Sequence, residues 1–198
     1  MGAVHFKFVH EPYVEHAYRT ALAETMVRDG LTQAWSREKF HEDAHREFAR
    51  ALRYGRPLSL LLMDLDEFKQ VNERRGHLYG DSVLRRTAAT VMPLVRTEQL
   101  FARIGGEKFG LLCPEVPVAG AMILAERLRE AVAGIEHRHA ADTFMVTCSF
   151  GVAGFSDRMA RFDELYEAAA RALQRSKAKG RNRVTVASSP ESAGDDPA

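Results

Sequence analysis

Residues 58–66 read LSLLLMDLD, and this stretch decides the fold. A near-continuous apolar run of six residues, Leu58 to Met63, ends in Asp64-Leu65-Asp66. Such a run is the pattern of a buried strand, and strands buried on both faces belong to sheets covered by helices. The two carboxylates leave its C-terminal end, where α/β sheets bind their ligands.

The neighbouring segments fit that sheet. Upstream, Phe40, Ala44, Phe48 and Ala51 repeat at helical spacing over 37–54, and Gly55-Arg56-Pro57 closes the helix. Downstream, residues 67–76 read as helix, Gly76 to Gly80 as a break, and 81–95 as helix again. Short strands at 100–104 and 108–113 meet at Gly105-Gly106, a hairpin signal. A helix is expected over 118–133, a strand over 143–153, a helix over 161–178 and a last strand over 183–187. The class is therefore α/β: a mixed central sheet flanked by helices. The hairpin turn is expected beside the end of the 58–63 strand.

Residues 4–9 alternate as a short strand. Val14, Tyr18, Ala21, Leu22, Thr25 and Met26 give 11–28 one apolar helical face. A helix that short needs a partner surface, either the domain or a second copy. The expected division is a strand and linker helix over 1–28, the main domain over 29–187 and a disordered tail over 188–198.

Composition bounds the function. The chain is 45% hydrophobic and 28% charged with a formal net charge of +1, so nothing global points to a nucleic acid polymer or a membrane surface. It has no apolar run near the length of a membrane span, and His5, Lys7, His10 and Glu11 interrupt any signal-peptide pattern. Cys113 and Cys148 lie in apolar stretches, as buried free thiols of a reducing compartment. A cytoplasmic location is expected.

Chemistry gathers at one end of the sheet. Asp64 and Asp66 at the strand end and Glu107 after the Gly-Gly turn suit Mg2+, a hard cation that takes oxygen ligands and bridges phosphates. Lys69, Lys177, Lys179 and Arg181 supply cations for phosphate. Asn72 and Asp81 bracket a Gly-containing loop and can read the edge of a base.

The ordered string DLDEFKQVNERRGHLYGD (64–81), RIGGEKF (103–109) and SKAKGRNRV (176–184) resembles a GGDEF domain, the diguanylate cyclase family. DGLT (29–32) and TCSFGVA (147–153) fit the same pattern, and the resemblance covers about 29–187. It implies synthesis of cyclic di-GMP from two GTP held on facing subunits, each 3′-hydroxyl attacking the other α-phosphate with Mg2+ assistance. By position it makes Asp64, the Leu65 carbonyl and Glu107 the metal ligands, with Glu107 also the candidate base. Asn72 and Asp81 would read guanine, since a carboxylate accepts from its two adjacent N–H groups, which adenine lacks. Lys69, Lys177 and Arg181 would hold phosphates. A homodimer is implied, with an upstream sensory domain or partner protein.

Two departures bear on activity. The family signature GG[DE]EF reads GGEKF here, with Lys108 in place of an acid. Unit charges 4 Å apart interact by about 4 kcal/mol at an effective dielectric of 20, so reversing one weakens metal binding. The expectation is retained guanine-nucleotide binding with little or no cyclase activity. The family's inhibitory RxxD motif reads Arg96 to Gln99 here, with Arg127 at a helper position. A neutral carbonyl replaces a carboxylate, which weakens cyclic di-GMP binding there. Ser36 and Glu38 replace the usual Asn and Arg, and Gln174 a common Tyr.

Three rivals remain. HEDAH (41–45) matches a zinc-protease motif through His41 and His45, with only His137 and His139 as further ligands. Its charged flanks read instead as a solvated helix face. The others are an active cyclase that tolerates Lys108 and a non-catalytic interaction or dimerisation module.

Overall fold

The computed structural model describes residues 27–139 and 142–187. The strand expected at 4–9, the helix at 11–28 up to residue 26 and the tail from 188 lie outside them. So does the side chain of His139.

The elements are α1 (Arg37–Tyr54), β1 (Leu58–Leu65), α2 (Phe68–Arg75), α3 (His77–Val91), β2 (Leu100–Gly105), β3 (Lys108–Pro114), α4 (Val118–Ala133), β4 (His137–His139), β5 (Asp142–Phe144), β6 (Cys148–Gly154), α5 (Phe162–Ala178) and β7 (Val184–Val186). The main sheet runs β2-β3-β1-β6-β7. Its first three pairings (β2–β3, β3–β1, β1–β6) are antiparallel and β6–β7 is parallel. It is the mixed sheet the sequence predicts.

β1 is central and buried along its whole length. Side chains alternate across a strand. Leu61, Met63 and Leu65 therefore pack with Val83, Leu84 and Ala88 of α3 and Leu128 of α4, while Leu58, Leu60 and Leu62 pack with Phe40 and Phe48 of α1 and Leu165 and Leu173 of α5. By the same alternation Asp64 lies on the α1/α5 side.

α5 approaches the sheet at Gly151, where an added Cβ would overlap the Ala169 carbonyl and the Leu173 nitrogen. A methyl there forces backbone apart rather than a flexible side chain. Gly151→Ala is expected to lower stability at the upper end of the about 1–3 kcal/mol typical of overpacking. Denaturant melts should show a lower midpoint with an unchanged slope. An unchanged midpoint would contradict this packing.

Two expected boundaries differ. Helix α3 begins at His77, so Gly80 is helical and not part of a break. A side chain at Gly80 would overlap Asn72 Oδ1, so this glycine serves the close α2–α3 contact. The strand expected over 143–153 is split. β5 pairs with β4 in a separate two-stranded hairpin, and β6 begins only at Cys148. Between them the Thr147 carbonyl leaves any ladder to accept the Asp66 N–H at 2.8 Å.

Candidate nucleotide and metal site

Register builds the site. Asp64 pairs with Lys108 across β1–β3 and with Ser149 across β1–β6. The Leu65 N–H donates to the Glu107 carbonyl at 3.3 Å, seating the Gly105-Gly106 turn beside the end of β1. Gly105 and Gly106 have φ of 148° and 51°, values that favour glycine. Arg103 fixes the turn from behind: its Nε donates to the Gly106 carbonyl at 2.8 Å, and its Nη1 lies 3.3 Å from both carboxylate oxygens of Asp29. Asp29 in turn accepts from the Thr32 N–H and hydroxyl. DGLT thus ties the start of the domain to the GG turn.

Asp64 is 1% exposed, and Lys177 Nζ lies 2.8 Å from its Oδ2. The contact is an ion pair outside hydrogen-bond alignment, so Oδ2 has no hydrogen-bond partner. Burial pushes the Asp64 carboxyl above its usual range; Lys177 opposes the rise, Glu107 adds to it and Lys108 opposes it. Glu107 is half-buried and Lys108 exposed.

Asp66 differs from the sequence expectation. It accepts from the Thr147 hydroxyl at 2.7 Å, the Ser149 hydroxyl at 2.7 Å and the Asn182 N–H at 3.0 Å. A carboxylate so engaged is not open to a metal. It anchors the 180–183 turn, where Gly180, Arg181 and Asn182 all have positive φ. Sequence reasoning missed Thr147, Ser149 and Asn182, because polar residues beside a strand carry no signal of a partner so far along the chain.

The proposed base readers stand together: Asn72 ends against Gly80, next to Asp81 on α3. Among the described residues the side chains of Asn72, Asp81, Glu107, Lys108 and Arg181 make no hydrogen bond or ion pair. Lys69 is outermost, 88% exposed and 3.6 Å from Glu73.

The fit to a divalent ion is partial. Among the described residues no three His, Cys, Asp or Glu side chains converge on one metal position. Asp64 and Glu107 with a backbone carbonyl suit Mg2+, which completes its shell with water and phosphate oxygens. The orphaned, buried Oδ2 is the acceptor such an ion would satisfy.

A wide groove lies elsewhere. It is about 950 Å³ and runs between α1 and the 96–100 segment, past Arg96 and Gln99. Its charges are largely paired: Lys39 and Arg46 with Asp43, Arg50 with Glu47, and Arg56 with Glu115. Gln99 is buried, its Oε1 accepting the Arg96 N–H at 3.0 Å, so its carbonyl is already engaged. Arg127 Nη2 donates to the Leu94 carbonyl at 2.6 Å.

The zinc motif fails on geometry. His41, half-buried, and His45, exposed, lie beside Phe162 of α5 with ring centroids 6.3 and 5.2 Å away. His137 is buried against Phe144, with its pKa lowered to about 4 by burial and by Arg86. Ser36, at the position where the family usually has Asn, caps α1 by accepting the Lys39 N–H.

The family model of the diguanylate cyclase GGDEF domain matches residues 26–183. The chain belongs to the GGDEF family. Diguanylate cyclase DgcP of Pseudomonas aeruginosa is 34% identical over 172 residues, covering 87% of this chain and 26% of that protein. Response regulator PleD of Caulobacter vibrioides is 35% identical over 163 residues, covering 81% and 36%. The chain thus spans about a quarter to a third of these relatives. Among solved structures, the coiled coil and GGDEF domain of DgcB from Caulobacter crescentus, in complex with c-di-GMP, is 28% identical with a TM-score of 0.83, covering 88% of this chain and 92% of that one. The active GGEEF domain of a diguanylate cyclase from Vibrio cholerae is 29% identical with a TM-score of 0.73, covering 78% and 97%. None of this chain's described helices is long and apolar enough to cross a membrane.

Proposed function

We propose that this GGDEF domain binds guanine nucleotide and forms little or no cyclic di-GMP. The observation that carries the reading is the register of β1 on β3, which sets Lys108 directly opposite Asp64. Residues directly opposite in an antiparallel pair share a face. A cation therefore stands beside the carboxylate that would ligate the metal, where the active Vibrio cholerae domain has Glu.

Asn72 and Asp81 would read the guanine edge, and Arg181, Lys177 and Lys69 would hold the phosphates. Bound Mg2+ would supply Lewis-acid stabilisation of charge at phosphorus. Glu107 would accept the 3′-hydroxyl proton, and a second domain facing the first would bring the other GTP. Lys108 lowers the affinity for the ion more than for the nucleotide, because its ammonium can itself face phosphate. A homodimer and an upstream sensory or partner protein complete the reading; one solved relative, diguanylate cyclase SiaD, is bound to its activator SiaC.

One observation favours an active enzyme. Lys108 is exposed, so its side chain can turn to water and leave Asp64 and Glu107 to the ion.

Calorimetric titration with GTP and ATP, with and without Mg2+, tests the binding claim. GTP should bind in both conditions and ATP in neither. Failure of both nucleotides would leave the interaction-module reading, and equal binding of both would contradict base recognition by Asp81.

A further inference from the structure

The Asp64–Lys177 pair joins the two halves of the site. Asp64 is closed off from solvent, and its Oδ2 faces the ammonium of a residue on the last turn of α5. That ammonium does not complete a hydrogen bond, so the oxygen is neutralised but not satisfied. Lys177 remains 28% exposed, open on one side to whatever enters the site. The close seating of α5 at Gly151 holds its backbone in place, so only the side chain is free to change partner.

A divalent ion binds carboxylate oxygen at about 2.0–2.1 Å for Mg2+ and needs further ligands around it. An ammonium 2.8 Å from the same oxygen occupies that space and repels the ion. The two cations therefore exclude one another at Oδ2. Nucleotide phosphates offer Lys177 another strong anion.

We propose that Lys177 couples the two ligands: it holds Asp64 while nucleotide is absent, and phosphates draw it away and open Asp64 to the divalent ion. The inference rests on the nucleotide-binding reading above. Linkage then requires reciprocity, so the ion tightens the nucleotide by the factor by which the nucleotide tightens the ion. The nucleotide-free domain is closed to metal by its own side chain.

The test uses Mn2+ alone, without nucleotide, followed by electron paramagnetic resonance of the free ion. The wild type should bind weakly at this site. Lys177→Met should bind at least 10-fold more tightly, and Asp64→Asn in that background should remove the gain. Lys177→Gln, which keeps a polar side chain beside Asp64 without the charge, should move affinity the same way if the methionine variant does not fold. In parallel, metal-free GTP titration should show weaker binding by the Lys177 variants than by the wild type. Equal Mn2+ affinity in wild type and variants, with GTP still bound by the wild type, overturns the coupling and leaves the nucleotide reading standing. Absence of GTP binding to the wild type overturns both.

Discussion

Asp81→Asn should turn this domain from a binder of GTP into a binder of XTP. A carboxylate accepts from the N1–H and the exocyclic N2–H of guanine, two adjacent donors. Xanthine keeps N1–H but carries a carbonyl at C2. The Asn amide can accept from the first and donate to the second, whereas against guanine its NH2 meets the N2–H as donor against donor. Hydrogen bonds to charged groups contribute about 1.5–3 kcal/mol each. Losing one of them, reducing the other to a neutral bond and setting donor against donor should weaken GTP at least about 100-fold. Asp81 is half-buried, with no other described partner to hold it away from a base. The variant should therefore keep its fold, and calorimetry with both nucleotides reads the switch. Unchanged GTP affinity would place the base elsewhere.

Much of this was legible in the sequence because local patterns and tertiary demands agree. The run from Leu58 to Met63 is apolar because β1 is covered on both faces, and Gly105-Gly106 are glycines because their backbone takes positive φ. The helix expected over 118–133 matches α4, bounded by Pro117 at its start and Gly134 at its end. Where the sequence misled, the cause was a distant partner. Gly80 looked like a break because its role, making room for Asn72, is a contact between helices. Asp66 looked like a metal ligand because its spacing from Asp64 does not reveal the hydroxyls and the Asn182 N–H that consume it, the last 116 residues away. The Asp64–Lys177 pair was invisible for the same reason: both residues were legible as site residues, but not as each other's counter-ions.

Lys108→Glu is the second change with a large expected effect. Each unit charge about 4 Å from another contributes about 4 kcal/mol at an effective dielectric of 20, and the reversal exchanges repulsion of a divalent ion for attraction. Lys108 is exposed, so solvent and salt reduce that figure considerably. Even about 2.7 kcal/mol at the transition state is a 100-fold change in rate. Glu107, the proposed base readers Asn72 and Asp81 and the GG turn are all present, so the variant reverses the charge of a single side chain.

The most direct measurement is incubation of wild type and Lys108→Glu with GTP and Mg2+ at high protein concentration, with products separated by chromatography. Little or no cyclic di-GMP from the wild type, and at least about 100-fold more from the variant, is the predicted result. Cyclic di-GMP formed by the wild type as fast as by the variant would contradict the account and make this chain an enzyme that tolerates Lys108.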